Sequence, residues 1–299
     1  MAATPYDDRD GQIWLDGEMV PWRDAKVHIL THALHYASSV FEGVRMYNGN
    51  IFKLTEHTER LHKSANILGF EIPWTTDQIN HACIEACEIN NIKDGYIRPV
   101  AWRGSEMMGV SAQKNTIHLA VAAWEWPSYF SPEARMRGIR LQTSKWKRPS
   151  AETEPVHAKA AGLYMICTLS KHTAEQAGFD DSLMLDYRGQ VAEATGANIF
   201  MEMGDGKLHT PIPDCFLDGI TRQTIIELAK KRGIDVVERV IMPDELANAT
   251  QVFLTGTAAE VTPVGAIDNH TYAVGEITNQ MMDDYDKAVG KAPANASAA

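Results

Sequence analysis

The segment WPSYFSPEARMRG, residues 126–138, divides the sequence between two runs of regular patterns. It contains two prolines and follows neither a helical nor a strand period, which is typical of a connection between folding units. The 299 residues are enough to give two domains a core each. We therefore expect a small first domain at 1–125, a linker at 126–136, a larger second domain at 137–289 and a disordered tail at 290–299.

Patterns in the first domain predict an α+β fold with a mostly antiparallel sheet. An Asp-Gly pair at 16–17 and an Asn-Gly pair at 48–49 are typical of tight hairpin turns, and alternating residues surround both. A helical period runs over 55–69, and a second helix is expected at 78–90 with Asp77 as its cap. The segments YIRPVAWRG and TIHLAVAAWEW indicate two more strands.

Helical patterns in the second domain predict helices at 160–177, 220–232 and 275–289. Strand patterns lie between them, in SLMLDYRGQVAEAT, NIFMEM and QVFLTG. Glycines follow the first two helices and would end them. The second domain is therefore also a mixture of helices and strands.

The net charge of -11 makes the average surface repel nucleic acid and anionic lipid. No window approaches 18 consecutive apolar residues, and the first residues lack the pattern of a signal peptide. The cysteines contain no C-x-x-C pair and favour free thiols over a disulfide or a metal site. We expect a cytoplasmic protein that binds neither nucleic acid nor membrane.

Lys159 and Glu193 are candidates for chemistry with an aldehyde cofactor. A lysine becomes nucleophilic near neutral pH when burial and neighbouring charge lower its pKa, and Lys159 lies among small and apolar residues in HAKAAGLYM. A carboxylate can keep a pyridine nitrogen protonated, and Glu193 ends an apolar strand in VAEATGAN. Taken alone, each residue is equally well explained as an ordinary surface residue.

Several donors are suited to bind a phosphate. The sequence DGITR opens the helix at 220, so its first amides could face an anion, and Arg60 could add a positive charge. A small-residue turn at 256–259 could supply a hydroxyl and further amides. Composition and spacing alone reach only a two-domain α/β enzyme with a candidate phosphate site.

Longer segments, in order, resemble the branched-chain aminotransferases of class IV, the D-alanine-transaminase-like enzymes that use pyridoxal 5'-phosphate (PLP). The resemblance spans about Ile13 to Met282 and is carried by HALHYASSVFEGVR, EHTERLHKSA, YIRPVAWRG, MMGV, AKAAGLY, VAEATGANIF, LDGITRQTII and GTAAEVTPV. It implies PLP fold type IV, with a small N-terminal α/β domain and a larger C-terminal domain that has a β-barrel-like core.

The resemblance also implies the site residues. Lys159 would be the catalytic Schiff-base lysine, and the other cofactor-binding residues would be Arg60, Tyr164, Glu193, Ile220, Thr221 and Thr257. The substrate-binding residues would be Tyr36, Phe41, Tyr96, Arg98, Met108, Val110, Tyr129, Thr257 and Ala258. Because the family supplies Met108, Val110 and Tyr129 from the partner subunit, it implies a homodimer or a higher homo-oligomer.

The implied activity is transamination of L-leucine, L-isoleucine and L-valine with 2-oxoglutarate, by a ping-pong mechanism that gives branched 2-oxo acids and L-glutamate. Tyr96 and Arg98, together with Met107-Met108-Gly109-Val110, favour the branched-chain type. Ser39, Ala197 and the pair Trp102-Arg103 depart from the family pattern and bear on fine substrate preference.

Four alternatives stay open from the sequence. His28, His32 and His35 would share one side of a helix and suggest zinc, although the β-branched residues that follow argue against a long helix there. The same fold also includes D-amino-acid or (R)-amine transaminases and aminodeoxychorismate lyase. A protein that only carries PLP is the non-enzymatic alternative. We expect structural histidines and no metal.

Overall fold

The structure, a computed structural model, describes residues 4–126 and 132–291. The chain forms two compact units, made of Met1–Pro127 with Ala158–Gly162 and of Ser128–His157 with Leu163–Ala299. The short segment Ala158–Gly162 returns to the first unit and carries Lys159 with it. The domain boundaries expected from the sequence stay a prediction.

The sheet of the first unit follows the antiparallel pattern expected from its hairpins. The strands are β1 (Gln12–Leu15), β2 (Glu18–Pro21), β3 (Ser39–Phe41), β4 (Val44–Tyr47), β5 (Asn50–Ile51), β6 (Gly95–Arg103) and β7 (Ile117–Glu125). Their order is β2-β1-β7-β6-β4-β5, with β3 beside β6. All of these pairings are antiparallel. The turns at 16–17 and 48–49 join β1 to β2 and β4 to β5, which confirms both predicted hairpins.

Two amphipathic helices supply the apolar core of the first unit together with one face of its sheet. Leu61 and Ile79 on the helices cluster with Ile97 and Leu119 on β6 and β7, and all four are 0% exposed. Alternation along each strand therefore leaves the other face of the sheet available for polar and aromatic side chains. The helices of this unit are α1 (His32–Tyr36), α2 (Leu54–Ile67) and α3 (Thr76–Ile89), with a 3-10 turn at Trp22–Asp24.

The cap of α3 corrects one prediction. The hydroxyl of Thr75 accepts from the Gln78 N–H at 3.3 Å, and the Gln78 side chain accepts from the Thr75 N–H at 2.8 Å. This capping box satisfies two N–H groups at once, so Thr75 and not Asp77 caps the helix, which begins at Thr76. Asp77 lies in the first turn, where its negative charge suits the helix dipole.

The described part of the second unit contains nine strands and four helices. Its strands are β8 (Ile139–Thr143), β9 (Asp181–Leu185), β10 (Val191–Ala194), β11 (Asn198–Glu202), β12 (Leu208–Pro211), β13 (Val236–Arg239), β14 (Gln251–Gly256), β15 (Glu260–Ile267) and β16 (His270–Thr271). Its helices are α4 (Pro132–Arg137), α5 (Met165–Gln176), α6 (Ile220–Lys231) and α7 (Glu276–Ala288), with a 3-10 turn at Pro243–Asn248. The predicted helices at 220–232 and 275–289 correspond to α6 and α7.

Six strands of the second unit close into a barrel. The order β10-β9-β8-β15-β14-β11 returns to its start because β10 also pairs with β11, where Glu193 faces Asn198. Strand β8 runs parallel to both neighbours, and the other pairs of the ring are antiparallel. Side chains such as Leu141, Ile199 and Val264, all 0% exposed, belong to the barrel's apolar core. The predicted β-barrel-like core is confirmed.

The helix expected at 160–177 begins later than its pattern indicates. A 3-10 turn, Ala161–Tyr164, comes first and α5 starts at Met165. Ala160 forms an antiparallel bridge with Val40, so the backbone before the turn is extended. Lys159 therefore lies beside a strand and not at a helix start. The helical period failed there because the Lys159 carbonyl accepts from the Phe41 N–H on β3 and not from an N–H further along a helix.

Within the described ranges 4–126 and 132–291, none of the helices is both long and apolar enough to cross a bilayer. The four cysteines, Cys83, Cys87, Cys167 and Cys215, are buried and carry free thiols.

Candidate functional site

The backbone of Lys159 is tied to two elements of the first unit. Its N–H donates to the Ser64 hydroxyl on α2 at 2.9 Å, and its carbonyl accepts from the Phe41 N–H on β3 at 3.1 Å. Both bonds fix the backbone position from which the Lys159 side chain extends. The ammonium nitrogen lies 5.2 Å from the centre of the Phe41 ring, within the range of a cation–π contact.

Glu42, the residue after β3, binds two side chains of α2. Arg60 donates from Nε to Oε1 at 2.7 Å and from Nη2 to Oε2 at 2.9 Å. Nδ1 of His57 lies 2.7 Å from Oε2, and Glu42 is 0% exposed. Because His57 and Arg60 are three residues apart on one helix, their side chains reach the same carboxylate. The guanidinium of Arg60 is thus held in a fixed orientation.

The charges of this group are set by burial and by each other. Burial alone would raise the pKa of the Glu42 carboxyl, but Arg60 and His57 hold that pKa well below its ordinary value. Burial lowers the pKa of His57, and the charges of Arg60 and Lys159 lower it further against the opposing effect of Glu42. Glu42 is therefore ionised at neutral pH, whereas His57 is neutral and donates its Nδ1 proton to Glu42.

Tyr96 and Arg98 on β6 lie on the same face of the sheet as Phe41. The guanidinium carbon of Arg98 lies 4.6 Å from the centre of the Phe41 ring, and its Nη2 donates to the Tyr96 hydroxyl at 3.2 Å. Gly43 makes this arrangement possible, since a Cβ there would lie 1.8 Å from the Tyr96 hydroxyl oxygen. The structure thus brings Lys159, Phe41, Arg98 and Tyr96 together within the first unit.

The remaining predicted pocket residues of the first unit lie at its surface. The Tyr36 hydroxyl donates to the Met108 carbonyl at 3.2 Å, which joins α1 to the loop after β6. Tyr36 is 45% exposed and Val110 is 83% exposed, so the side chain of Val110 is not enclosed by its own unit. Tyr129 falls outside the described residues, and its role stays a prediction.

Among the candidate residues of the second unit, Glu193 on β10 supplies the carboxylate. Its Oε1 lies 3.3 Å from Arg148 Nε, and its Oε2 accepts from Asn198 Nδ2 at 3.2 Å. Burial alone would lower the pKa of the Arg148 guanidinium, but Glu193 first, then Cys167 and Tyr164, raise that pKa above its ordinary value. The predicted residue Tyr164, the last of the 3-10 turn, is thus electrostatically coupled to this pair.

Asn198 connects Glu193 to the start of α6. Its side-chain oxygen accepts from the Gly219 N–H at 3.2 Å, and its amide nitrogen donates to the Leu217 carbonyl at 2.9 Å. A Cβ on Gly219 would lie 2.2 Å from that oxygen, so any other residue here would displace the Asn198 side chain. Ile220 and Thr221 follow as the first helical residues, where backbone N–H groups favour an anion.

The turn that contains Thr257 and Ala258 joins β14 to β15. Gly256 and Glu260 face each other at its base, and the Thr262 hydroxyl donates to the Ala259 carbonyl at 2.5 Å. Both predicted residues are half-buried. The turn is therefore held at its base while its middle residues keep contact with solvent.

The three histidines of the zinc alternative each have their own partner. Helix α1 holds only five residues, His32–Tyr36, so His28 lies outside it. Nδ1 of His28 accepts from the Leu30 N–H at 3.1 Å. Nε2 of His32 lies 3.0 Å from the Gly109 carbonyl, and Nε2 of His35 lies 2.9 Å from the Ile29 carbonyl. These contacts support structural roles.

Sequence reasoning missed four side chains that orient candidate residues: Glu42, His57, Arg148 and Asn198. A glutamate next to an apolar strand, followed by a helix with histidine and arginine three residues apart, was the available signal for the first two. Arg148 left no local pattern, because its partner Glu193 is distant in the chain. Asn198 lies only five positions from Glu193, but its bonds to Leu217 and Gly219 span 19 and 21 positions.

The comparisons with known proteins agree with this geometry. Residues 39–267 match the family described as Amino-transferase class IV. The chain belongs to this family. The "Branched-chain-amino-acid aminotransferase" of Pseudomonas aeruginosa is 43% identical over 297 residues, which cover 97% of this chain and 96% of that protein. The resemblance found in the sequence is confirmed.

Solved structures of this class IV family share the fold along nearly the whole chain. The branched-chain amino acid aminotransferase of Escherichia coli gives a TM-score of 0.91 at 37% identity, covering 97% of this chain and 98% of that one. The enzyme of the same name from T.th., complexed with N-(5'-phosphopyridoxyl)-L-glutamate, gives a TM-score of 0.89 at 39% identity, covering 95% of this chain and 96% of that one.

Proposed function

We propose that this class IV protein is a PLP-dependent aminotransferase. It transfers the amino group of L-leucine, L-isoleucine or L-valine to 2-oxoglutarate, with ping-pong kinetics, and yields branched 2-oxo acids and L-glutamate. The observation that carries the proposal is the 43% identity, over 97% of this chain, to a relative named as a branched-chain-amino-acid aminotransferase.

The side chains present are suited to PLP. Its phosphate requires cations and amide donors, and each unit offers a candidate: Arg60 in the first unit and the first amides of α6, at Ile220 and Thr221, in the second. Its pyridine nitrogen requires a carboxylate, and Glu193 is held between Arg148 and Asn198. We assign Tyr164 to the ring hydroxyl and Thr257 to the phosphate. When bound, PLP supplies an aldehyde that links to amines and a ring that accepts electrons from Cα.

The proton transfers are assigned to Lys159. Its Nζ would take the proton from the Cα of the donor amino acid as general base. In the second half of the reaction it would give a proton to the Cα of the acceptor as general acid. The two backbone bonds of Lys159 hold its starting point still while the side chain moves. Glu193 would keep the proton on the pyridine nitrogen, and His57, which is neutral, adds no charge near the amine.

The substrate contacts follow from the aromatic and basic side chains. We assign the α-carboxylate to Tyr96 and to the amides of Thr257 and Ala258. The apolar side chain would contact Phe41 with Tyr36, Met108, Val110 and Tyr129, and Arg98 would pair with the γ-carboxylate of glutamate. The Arg98 contact with the Phe41 ring supports a pocket that accepts both kinds of side chain.

We also propose that the enzyme is a homodimer or a higher homo-oligomer in the cytoplasm. The exposed apolar residues Ile29 (72%), Leu34 (59%) and Val110 (83%) support an interface, because monomers rarely expose such groups together. Four buried free thiols fit a reducing compartment. The mass of one chain is 33.2 kDa. Sedimentation velocity would show a species of at least twice this mass, and a monomer would refute the proposed oligomer.

Single-turnover spectra of the PLP-loaded enzyme test the activity. We expect L-leucine and L-glutamate to bleach the visible absorption of the bound cofactor rapidly, and D-alanine and (R)-1-phenylethylamine to bleach it slowly. Fast bleaching by D-alanine without a response to L-leucine would overturn the assignment in favour of a D-amino-acid transaminase. Release of pyruvate from an aminodeoxychorismate substrate would instead indicate a lyase.

A further inference from the structure

The turn that presents Thr257 and Ala258 ends in a residue with an unusual backbone conformation. Glu260 has a φ of 55°, in the left-handed region that glycine usually occupies, and it is 3% exposed. Its backbone faces Gly256, so its position sets the base of the turn. A non-glycine residue persists in this conformation only where its surroundings hold it there.

Lys291, the last of the described residues, forms an ion pair with the side chain of Glu260. Its ammonium lies 2.5 Å from Glu260 Oε1 and 3.4 Å from Asp286 Oδ1. A buried carboxylate is costly unless a cation pairs with it, and removal of one partner leaves an uncompensated charge. The ion pair is therefore a restraint on Glu260 and, through its backbone, on the turn.

The direction of Lys291 is fixed by how α7 ends. Gly290 has a φ of 77°, its N–H donates to the Lys287 carbonyl at 3.1 Å, and the Lys291 N–H donates to the Asp286 carbonyl at 2.9 Å. These two bonds form a Schellman motif, which turns the chain sharply at the glycine. The helix is anchored in turn, because Tyr285 is 1% exposed. Lys291 is thus attached to a rigid support.

We propose that Lys291 is a positioning residue for substrate binding, which acts through Glu260 on the backbone amides of Thr257 and Ala258. This inference rests on the proposed function, in which those amides bind the α-carboxylate. Amino acids and 2-oxo acids both carry that carboxylate. We call the ion pair between Lys291 and Glu260 the clamp. Its loss therefore weakens binding of both substrates and has a smaller effect on the proton transfer by Lys159.

The test compares Lys291→Met with Lys287→Met. Lys287 lies at the same helix end with a 70% exposed side chain, 3.9 Å from Asp284. We expect Lys291→Met to raise KM for L-leucine and for 2-oxoglutarate by about tenfold with a much smaller change in kcat, because the loss affects binding of the substrates and not the chemical step. Lys287→Met should leave both values unchanged. Lys291→Arg should restore KM, because it keeps the cation.

Backbone amide exchange measures the clamp without any activity. In the purified protein, amides of residues 257–259 should exchange several-fold faster in Lys291→Met and in Glu260→Gln than in Lys287→Met. The inference is overturned if amide exchange and KM are unchanged in both Lys291→Met and Glu260→Gln. It is also overturned if KM rises in Lys287→Met as much as in Lys291→Met. If exchange accelerates but the wild type does not transaminate L-leucine, the clamp stands and the proposed function fails.

Discussion

Glu42 accepts two hydrogen bonds from the guanidinium of Arg60, at 2.7 Å from Nε and 2.9 Å from Nη2, while its own side chain is shielded from solvent. The Arg60 side chain keeps 14% exposure. A paired arginine that is still partly accessible can contact a further anion, and its planar fork is oriented in advance. The pair therefore links a buried carboxylate to the cation that we assign to the cofactor phosphate.

Replacement of this carboxylate should destabilise the first unit strongly. Glu42→Ala leaves Arg60 and His57 without their buried acceptor, and loss of one partner of a buried pair costs about 3–5 kcal/mol. The free energy of unfolding, from urea titration of the cofactor-free protein, measures this loss. Glu18→Ala, at an exposed strand position, is the control and should stay within about 0.5 kcal/mol of the wild type. Equal stabilities of the two variants would contradict the structural role of Glu42.

His57 and Glu42 should make the free energy of unfolding depend on pH in two steps. The pKa of His57 is lowered from 6.5, so below about pH 6.5 the unfolded chain binds a proton that the folded protein does not. Stability therefore falls as the pH drops below that value. The pKa of Glu42 is lowered from 4.5, which adds a second loss below about pH 4.5.

Urea titrations from pH 8 down to about pH 3 would cover both steps. His57→Asn keeps a donor to Glu42 but removes the titrating ring, so we expect a shallower first decrease. Part of it should persist, because burial also lowers the pKa of His62. A first step that is as steep in His57→Asn as in the wild type would show that His57 does not titrate in this window.

Lys159→Ala should abolish both the visible absorption of the lysine-bound cofactor and turnover, because no other amine is assigned to the covalent link. Absorption spectra after incubation with PLP, together with steady-state rates, measure the two losses. Lys63→Ala, at an exposed position of α2, is the control and should retain both. A Lys159→Ala variant that still turns over would refute the assignment of this lysine.

Features set by neighbouring residues were predictable from the sequence. Asp-Gly and Asn-Gly pairs located both hairpins because the turn geometry is local, and Asp16 and Asn48 do adopt the positive φ that such turns require. The family resemblance supplied the fold and the candidate residues, and the closed barrel confirmed its part of the expectation. Periodicity alone would not have given the barrel, since it carries no pairing order.

Features set by contacts between distant residues were not predictable. Lys159 is 95 positions from Ser64, whose hydroxyl it binds, so its segment looked helical although it lies beside a strand. The partners Glu42 and Arg60 are 18 positions apart and on different elements. In each case a tertiary contact decided the local conformation or charge, and no pattern within one window records such a contact.

Gly219→Ala should uncouple the start of α6 from Glu193. The backbone of Gly219 has φ -66° and ψ 138°, which alanine tolerates, so strain in the backbone is excluded as a cause. The added Cβ would instead lie 2.2 Å from the Asn198 side-chain oxygen and force Asn198 away from the Gly219 N–H and from Glu193. We expect a loss of about 1–3 kcal/mol in the free energy of unfolding and weaker retention of PLP on dialysis. Gly196→Ala is the matched control, because nothing lies within 4 Å of its Cβ position. If both variants retain PLP equally, Asn198 does not transmit the position of α6 to the carboxylate.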